Sequence, residues 1–147
     1  MGAVEAQLAN GDDEQPHASL DSLHADISVR SRDLFESGKF DEAIFNAMKV
    51  VEDKLRKLIG AGDDLVGLAL VSKALSPKNP QLAFSNVEAE QEAFHSLFRG
   101  AIGTFKNPLS HRFLDTSDPL KTLEVLALAS LLARLLDEVT PQDGIGA

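Results

Sequence analysis

The chain has 147 residues, 44% of them hydrophobic and 25% charged, enough for one globular domain and too few for two of ordinary size. Cysteine is absent, which excludes disulfides, thiolate metal sites and cysteine nucleophiles together. The formal net charge of −9 argues against broad non-specific attachment to nucleic acid. The longest apolar run, Leu123 to Leu136, is broken by Glu124 and Arg134, and the N-terminus lacks a basic segment followed by an apolar core, so the expectation is a cytoplasmic protein with no membrane partner.

Residues 1–18 read as an acidic flexible tail, rich in Gly, Asn, Asp and Gln and without apolar periodicity. The helical domain is expected over 19–140, with a flexible C-terminal tail over 141–147. A first helix is predicted from about Ser19 to Ser37, with Leu20, Leu23, Ile27, Leu34 and Phe35 on one side, and Gly38 ends it. A second runs from about Asp41 to Ile59, where Ala43, Ile44, Ala47, Met48, Val51, Leu55, Leu58 and Ile59 keep a helical period. Gly60 and Gly62 close it.

A short apolar helix over Val66–Leu75 precedes a loop forced by Pro77 and Pro80. Ser85 or Asn86 caps a fourth helix that begins with Glu88 and Glu90 and offers Val87, Phe94, Leu97, Phe98, Ala101, Ile102 and Phe105 as its core face. Pro108 stops or kinks that helix. Asp118, with Pro119 after it, caps a last helix that is apolar nearly all round and is therefore expected to be the central one. No alternating pattern of strands competes. The expectation is an all-α bundle of four or five helices.

Charge is unevenly placed. The first 26 residues hold six acids and no Lys or Arg, leaving 17 acids against 14 bases in the rest. Ala93 to Leu114 contains no acid at all but holds His95, Arg99, Lys106, His111 and Arg112. Within this island, Lys106-Asn107-Pro108-Leu109-Ser110-His111-Arg112 gathers polar and cationic side chains where a proline breaks the helix. Histidine can take and give a proton near neutral pH, lysine can offset charge on a phosphoryl group, and Asn107 and Ser110 can orient oxygen atoms. That set suits RNA cleavage by the neighbouring 2′-hydroxyl, which needs no metal.

The plainer reading of the same residues is a helix end with surface cations. His95, Arg99, Gly103 and Lys106 fall at helical spacing on one face, although His95 reads more simply as a packing or surface histidine. Gly100 and Gly103 disfavour a helix, which suggests close approach of a neighbouring helix or a second subunit. His17 and His24 receive no role. Asp12-Asp13-Glu14 and Asp63-Asp64 read as solvated turns, no metal site has ligand spacing, and no cofactor is implied.

Several blocks together carry a resemblance. Leu34 to Ala47, with its Gly38, Phe40 and Glu42-Ala43, continues through Val51-Glu52 to Arg56. Leu97-Phe98-Arg99-Gly100-Ala101 is followed by Lys106-Asn107-Pro108-Leu109-Ser110-His111. Leu126 to Leu132 is then followed by Leu136-Asp137. In this order they resemble the uncharacterised bacterial Ymh-type family over about residues 20 to 138. That family is similar to the HEPN superfamily of dimeric all-α domains, many of them metal-independent endoribonucleases of toxin–antitoxin and phage-defence systems. The resemblance implies a homodimer with RNA, and an antitoxin or other protein, as partners.

In the HEPN signature, an arginine and a polar residue precede a histidine. The resemblance then assigns His111 as general acid/base, Asn107 as substrate-positioning residue and Lys106 to the arginine position, with Arg99, Arg112 and Ser110 as auxiliary substrate contacts. Lysine is a point charge and not a planar fork, so the exchange is not conservative. This leaves two expectations: a nuclease weakened at this position, or a catalytically silent helical module for dimerisation and for protein or nucleotide binding.

Overall fold

A computed structural model describes residues 19–106, 118–139 and 141. Its elements are a 3-10 turn at Leu20–Ser22 and the helices α1 (Ala25–Glu36), α2 (Phe40–Ile59), α3 (Gly67–Leu75), α4 (Glu88–Ala101) and α5 (Pro119–Glu138). A π-helical turn, Ile102–Lys106, extends α4. Among the described residues the one β feature is an isolated antiparallel bridge between Leu82 and Pro141. The fold is all-α, and no described helix is long and apolar enough to cross a membrane.

The predicted first helix is divided. Leu23 and His24 take extended ψ values of 156° and 135°, because the His24 N–H is drawn 2.7 Å to Ser130 Oγ on α5 instead of joining a helical ladder. The helix restarts with His24 as N-cap, its Nδ1 accepting from the Asp26 N–H at 3.1 Å. Gly60 closes α2 at φ +64°, where its N–H and that of Ala61 take up the last carbonyls. Asp118 caps α5 by accepting from the Leu120 N–H at 2.9 Å, with Pro119 at the first helical position.

The central helix is α2, not α5. Helix α2 packs against α1, α3, the π turn and α5, and buries Ala43, Ile44, Ala47, Met48, Val51, Glu52 and Leu55. Helix α5 buries Val125, Leu126, Ala129, Leu132, Ala133 and Leu136 but leaves Leu120 65% and Leu131 51% exposed. An all-apolar composition says that a helix can be buried, whereas its neighbours decide how much of it is. On α4 the core face is Phe98, Ala101 and Ile102. Val87 and Leu97 are exposed, and Phe94 stacks on Phe84 with ring centroids 4.4 Å apart.

The remaining buried position on α4 is Gln91. Its Oε1 accepts from the Phe84 N–H at 2.9 Å, and its Nε2 donates to the Leu75 and Leu82 carbonyls at 3.0 Å each. One amide thereby satisfies the last carbonyl of α3 and two main-chain groups of the proline-containing loop that follows it.

Candidate functional site

Of the segment that carries the predicted chemistry, Lys106 is described, as the last residue of the π turn. A π turn closes its hydrogen bonds over five residues instead of four, so the side chains within it depart from α-helical spacing. His95 faces α3, with Nε2 3.4 Å from Ser72 Oγ and Nδ1 3.5 Å from Glu92 Oε2, the latter without hydrogen-bond geometry. Lys106 turns instead to α2. Arg99 is exposed. The shared face predicted from helical spacing is thus divided between two neighbours.

Lys106 places Nζ 2.8 Å from Glu52 Oε2 and 5.7 Å from the centroid of the Phe45 ring. Glu52 is only 1% exposed, and the Lys106 side chain 13%. The second carboxylate oxygen, Oε1, accepts from the N–H of Gly67, which opens α3 at φ +62°. Phe45 and Glu52 are two turns apart on α2, so the ring and the carboxylate share a face. A single buried acid therefore ties together the middle of α2, the first residue of α3 and the last residue before the Asn107–His111 stretch.

Such a pair is a poor choice for stability alone. Desolvating two charges costs several kcal/mol per ion, and apolar residues of similar volume commonly do as well or better. What the pair supplies is position. The ammonium is held by a charge-assisted bond on one side and an aromatic face on the other, both fixed by α2.

Asn107, Ser110, His111 and Arg112 lie outside the described residues, as do Pro108, His17, the Asp12–Glu14 cluster and the tail over 1–18. Asp63 and Asp64 occupy an exposed turn. A Cβ on Gly103 would meet Leu68 Cδ2 at 3.5 Å, an ordinary contact, and one on Gly100 would meet nothing within 4 Å. Neither glycine is required by close backbone approach among the described residues.

A second polar cluster joins the start of α1 to the end of α5. Because His24 Nδ1 accepts from the Asp26 N–H, its proton sits on Nε2, which donates to Asp137 Oδ2 at 2.6 Å. Lys54 Nζ lies 2.7 Å from Asp137 Oδ1 and 3.3 Å from Asp26 Oδ2. Lys54, and then His24, hold the Asp137 carboxyl below the ordinary carboxylate range. Burial alone pushes the Lys54 ammonium down, but Asp137 and Asp26 together outweigh it and raise it.

The Lys106 region and its surroundings fall within a known family. A family model described as "Protein of unknown function (Hypoth_ymh)" matches residues 21–136. The chain belongs to the Hypoth_Ymh family. The matched span takes in α1 to α4, the π turn and nearly all of α5, with Glu52, Lys106 and the whole Lys106–Arg112 stretch inside it. No curated protein and no solved structure matches this Hypoth_Ymh chain.

Sequence reasoning passes over two functional candidates. Glu52 lies four residues after Met48 and three before Leu55, on the apolar face of α2, and that register is the signal that marks it as a buried acid. His24 and Asp137 are 113 residues apart, and no spacing rule links them.

Proposed function

We propose that this Hypoth_Ymh domain is an HEPN-like, metal-independent endoribonuclease that acts as a dimer in a toxin or phage-defence setting. The observation that carries the reading is the buried Glu52–Lys106 pair at the end of a π turn, immediately before Asn107–His111. Stability does not call for a buried charge there, π turns are frequent at functional positions, and a positioned ammonium is what a phosphoryl-transfer site needs.

In the proposed reaction, His111 of one protomer takes the proton of an RNA 2′-hydroxyl, and the 2′-oxygen bonds to the adjacent phosphorus. The bond from phosphorus to the 5′-oxygen breaks, and the partner protomer's histidine at this same position protonates that oxygen. The products are a 2′,3′-cyclic phosphate and a 5′-hydroxyl. Lys106 offsets the charge gathering on the non-bridging oxygens, Glu52 positions Lys106, and Asn107 orients the phosphate. Arg99, Arg112 and Ser110 hold flanking phosphate or ribose.

One observation favours the second reading, a catalytically silent dimerisation or binding module: the Lys106 ammonium is already engaged by a buried carboxylate. The Lys106→Arg variant separates the two. Arginine reaches the same carboxylate and adds a fork for phosphate. Incubated with a mixed RNA pool and EDTA, a nuclease gives cyclic-phosphate ends that are preserved or increased in the variant. A silent module gives none from either protein.

A further inference from the structure

We propose that the groove between α1 and α2 is a phosphate-binding site, separate from the Lys106 region. The groove encloses about 300 Å³, the small end of the range for small-ligand sites. Its walls are Asp26, Val29 and Arg30 from α1, facing Asp53, Lys54 and Lys57 from α2, with Val50 beside them. At about 100° per residue, Val50, Lys54 and Lys57 project from the side of α2 roughly opposite Glu52. The proposal therefore does not rest on the nuclease reading.

Most of the charge in the groove is already spoken for. Lys54 is held by Asp137 at 2.7 Å and Asp26 at 3.3 Å, and Asp53 by Arg56 Nη1 at 2.5 Å. That leaves Arg30 and Lys57, exposed cations on opposite walls, neither in an ion pair among the described residues. In a chain of net charge −9, two such cations facing one cavity form a local positive site. A phosphate between them relieves their repulsion. Arginine offers it a planar fork, lysine a point charge, and the two together can engage three oxygens. Val29 and Val50 give an apolar wall for the uncharged part of the ligand. An acidic peptide fits less well, because a carboxylate presents two oxygens in one plane where a phosphate can present three to Arg30 and Lys57. The phosphate can come from a free mononucleotide or from a nucleic-acid backbone, and the chemistry at Arg30 and Lys57 is the same.

The test is a backbone-amide NMR titration of the full chain with inorganic phosphate, with AMP and with a deoxyhexanucleotide, which lacks the 2′-hydroxyl that cleavage needs. A fourth titration uses a glutamate hexapeptide. All are repeated on Arg30→Gln/Lys57→Gln, whose changes fall on exposed side chains. Saturable shifts at 26–30 and 50–57 with phosphate or AMP, weakened roughly tenfold or more in the variant, support a site for free phosphate compounds. The same pattern with the oligonucleotide alone supports a backbone phosphate as the source. No groove shifts from any phosphate compound, equal shifts in the variant, or shifts from the peptide alone overturn the proposal.

Discussion

Lys106→Met is the most informative change to the folded domain, because it removes one charge and keeps the volume. Glu52 would then be buried with the Gly67 N–H as its remaining hydrogen-bond donor among the described residues. If it stays ionised, loss of the partner costs about 3–5 kcal/mol. If it takes up a proton instead, the cost is about 1.36 kcal/mol for each pH unit above the ordinary glutamate value near 4.3. That sets a ceiling of about 4 kcal/mol at pH 7 and about 1 kcal/mol at pH 5. A carboxyl that folds more readily when protonated loses stability as pH rises, so the deficit must be larger at pH 7 than at pH 5. Urea unfolding followed by circular dichroism at both pH values measures it. The double variant Glu52→Gln/Lys106→Met, with no buried charge, should recover most of the loss. A deficit below about 0.5 kcal/mol at pH 7, one that does not shrink at pH 5, or a double variant no better than the single would refute the anchoring role.

The other expectations are read from thermal or chemical unfolding unless stated. Gly100→Ala should gain about 0.5–1 kcal/mol and raise Tm by roughly 2–4 °C, since a Cβ there meets nothing within 4 Å. A fall in Tm would mean that another backbone approaches this residue in solution. Gln91→Leu should cost about 2–5 kcal/mol, because the Phe84 N–H and the Leu75 and Leu82 carbonyls lose their shared partner. Retained stability would show that water or the loop itself satisfies them. Asp137 is depressed by Lys54 and then His24, so its contribution is present above the ordinary carboxylate value near 4 and is lost as pH falls below it. Asp137→Asn should remove that part of the acid limb. The carboxylate is half-exposed, so the effect is under about 1 kcal/mol, and an unchanged acid limb would contradict the bridge.

Helix ends are the most legible features of the sequence. Gly60 and the Asp118-Pro119 pair act through bonds to the next few residues, so their effect can be read locally. The cap of α4 is not legible: neither Ser85 nor Asn86 caps it, because Val87 is the N-cap and makes no side-chain capping bond, while Ser85 Oγ accepts from the Val87 N–H in the turn before the helix. Which helix is central is not legible, because burial is a property of neighbours. Helix α2 carries Asp41, Glu42, Lys49, Asp53 and Lys57 along its length and yet is covered by four other elements, while the apolar α5 leaves Leu131 uncovered. The break at Leu23–His24 is caused by Ser130 on the far side of the chain.

The candidate site divides in the same way. Lys106 stands out by its place beside Asn107 and His111, but the pairing does not, since Glu52 is 54 positions away and its register with Met48 and Leu55 shows burial without naming a partner. The π turn is hidden because its residues, Ile102 to Lys106, keep an ordinary helical pattern of apolar positions. Its effect is to send Lys106 to α2 while His95 stays against α3. Both features depend on contacts between elements that only the packed chain brings together.

The central claim, an endoribonuclease whose general acid/base is His111, is tested most directly by cutting of a labelled mixed RNA pool in EDTA by wild type and His111→Ala at equal folded concentration. Wild type should release fragments with 5′-hydroxyl ends, and the variant should be slower by about 100-fold or more, the usual contribution of a general acid/base. Cutting that persists undiminished in His111→Ala, or none from either protein, would contradict the account.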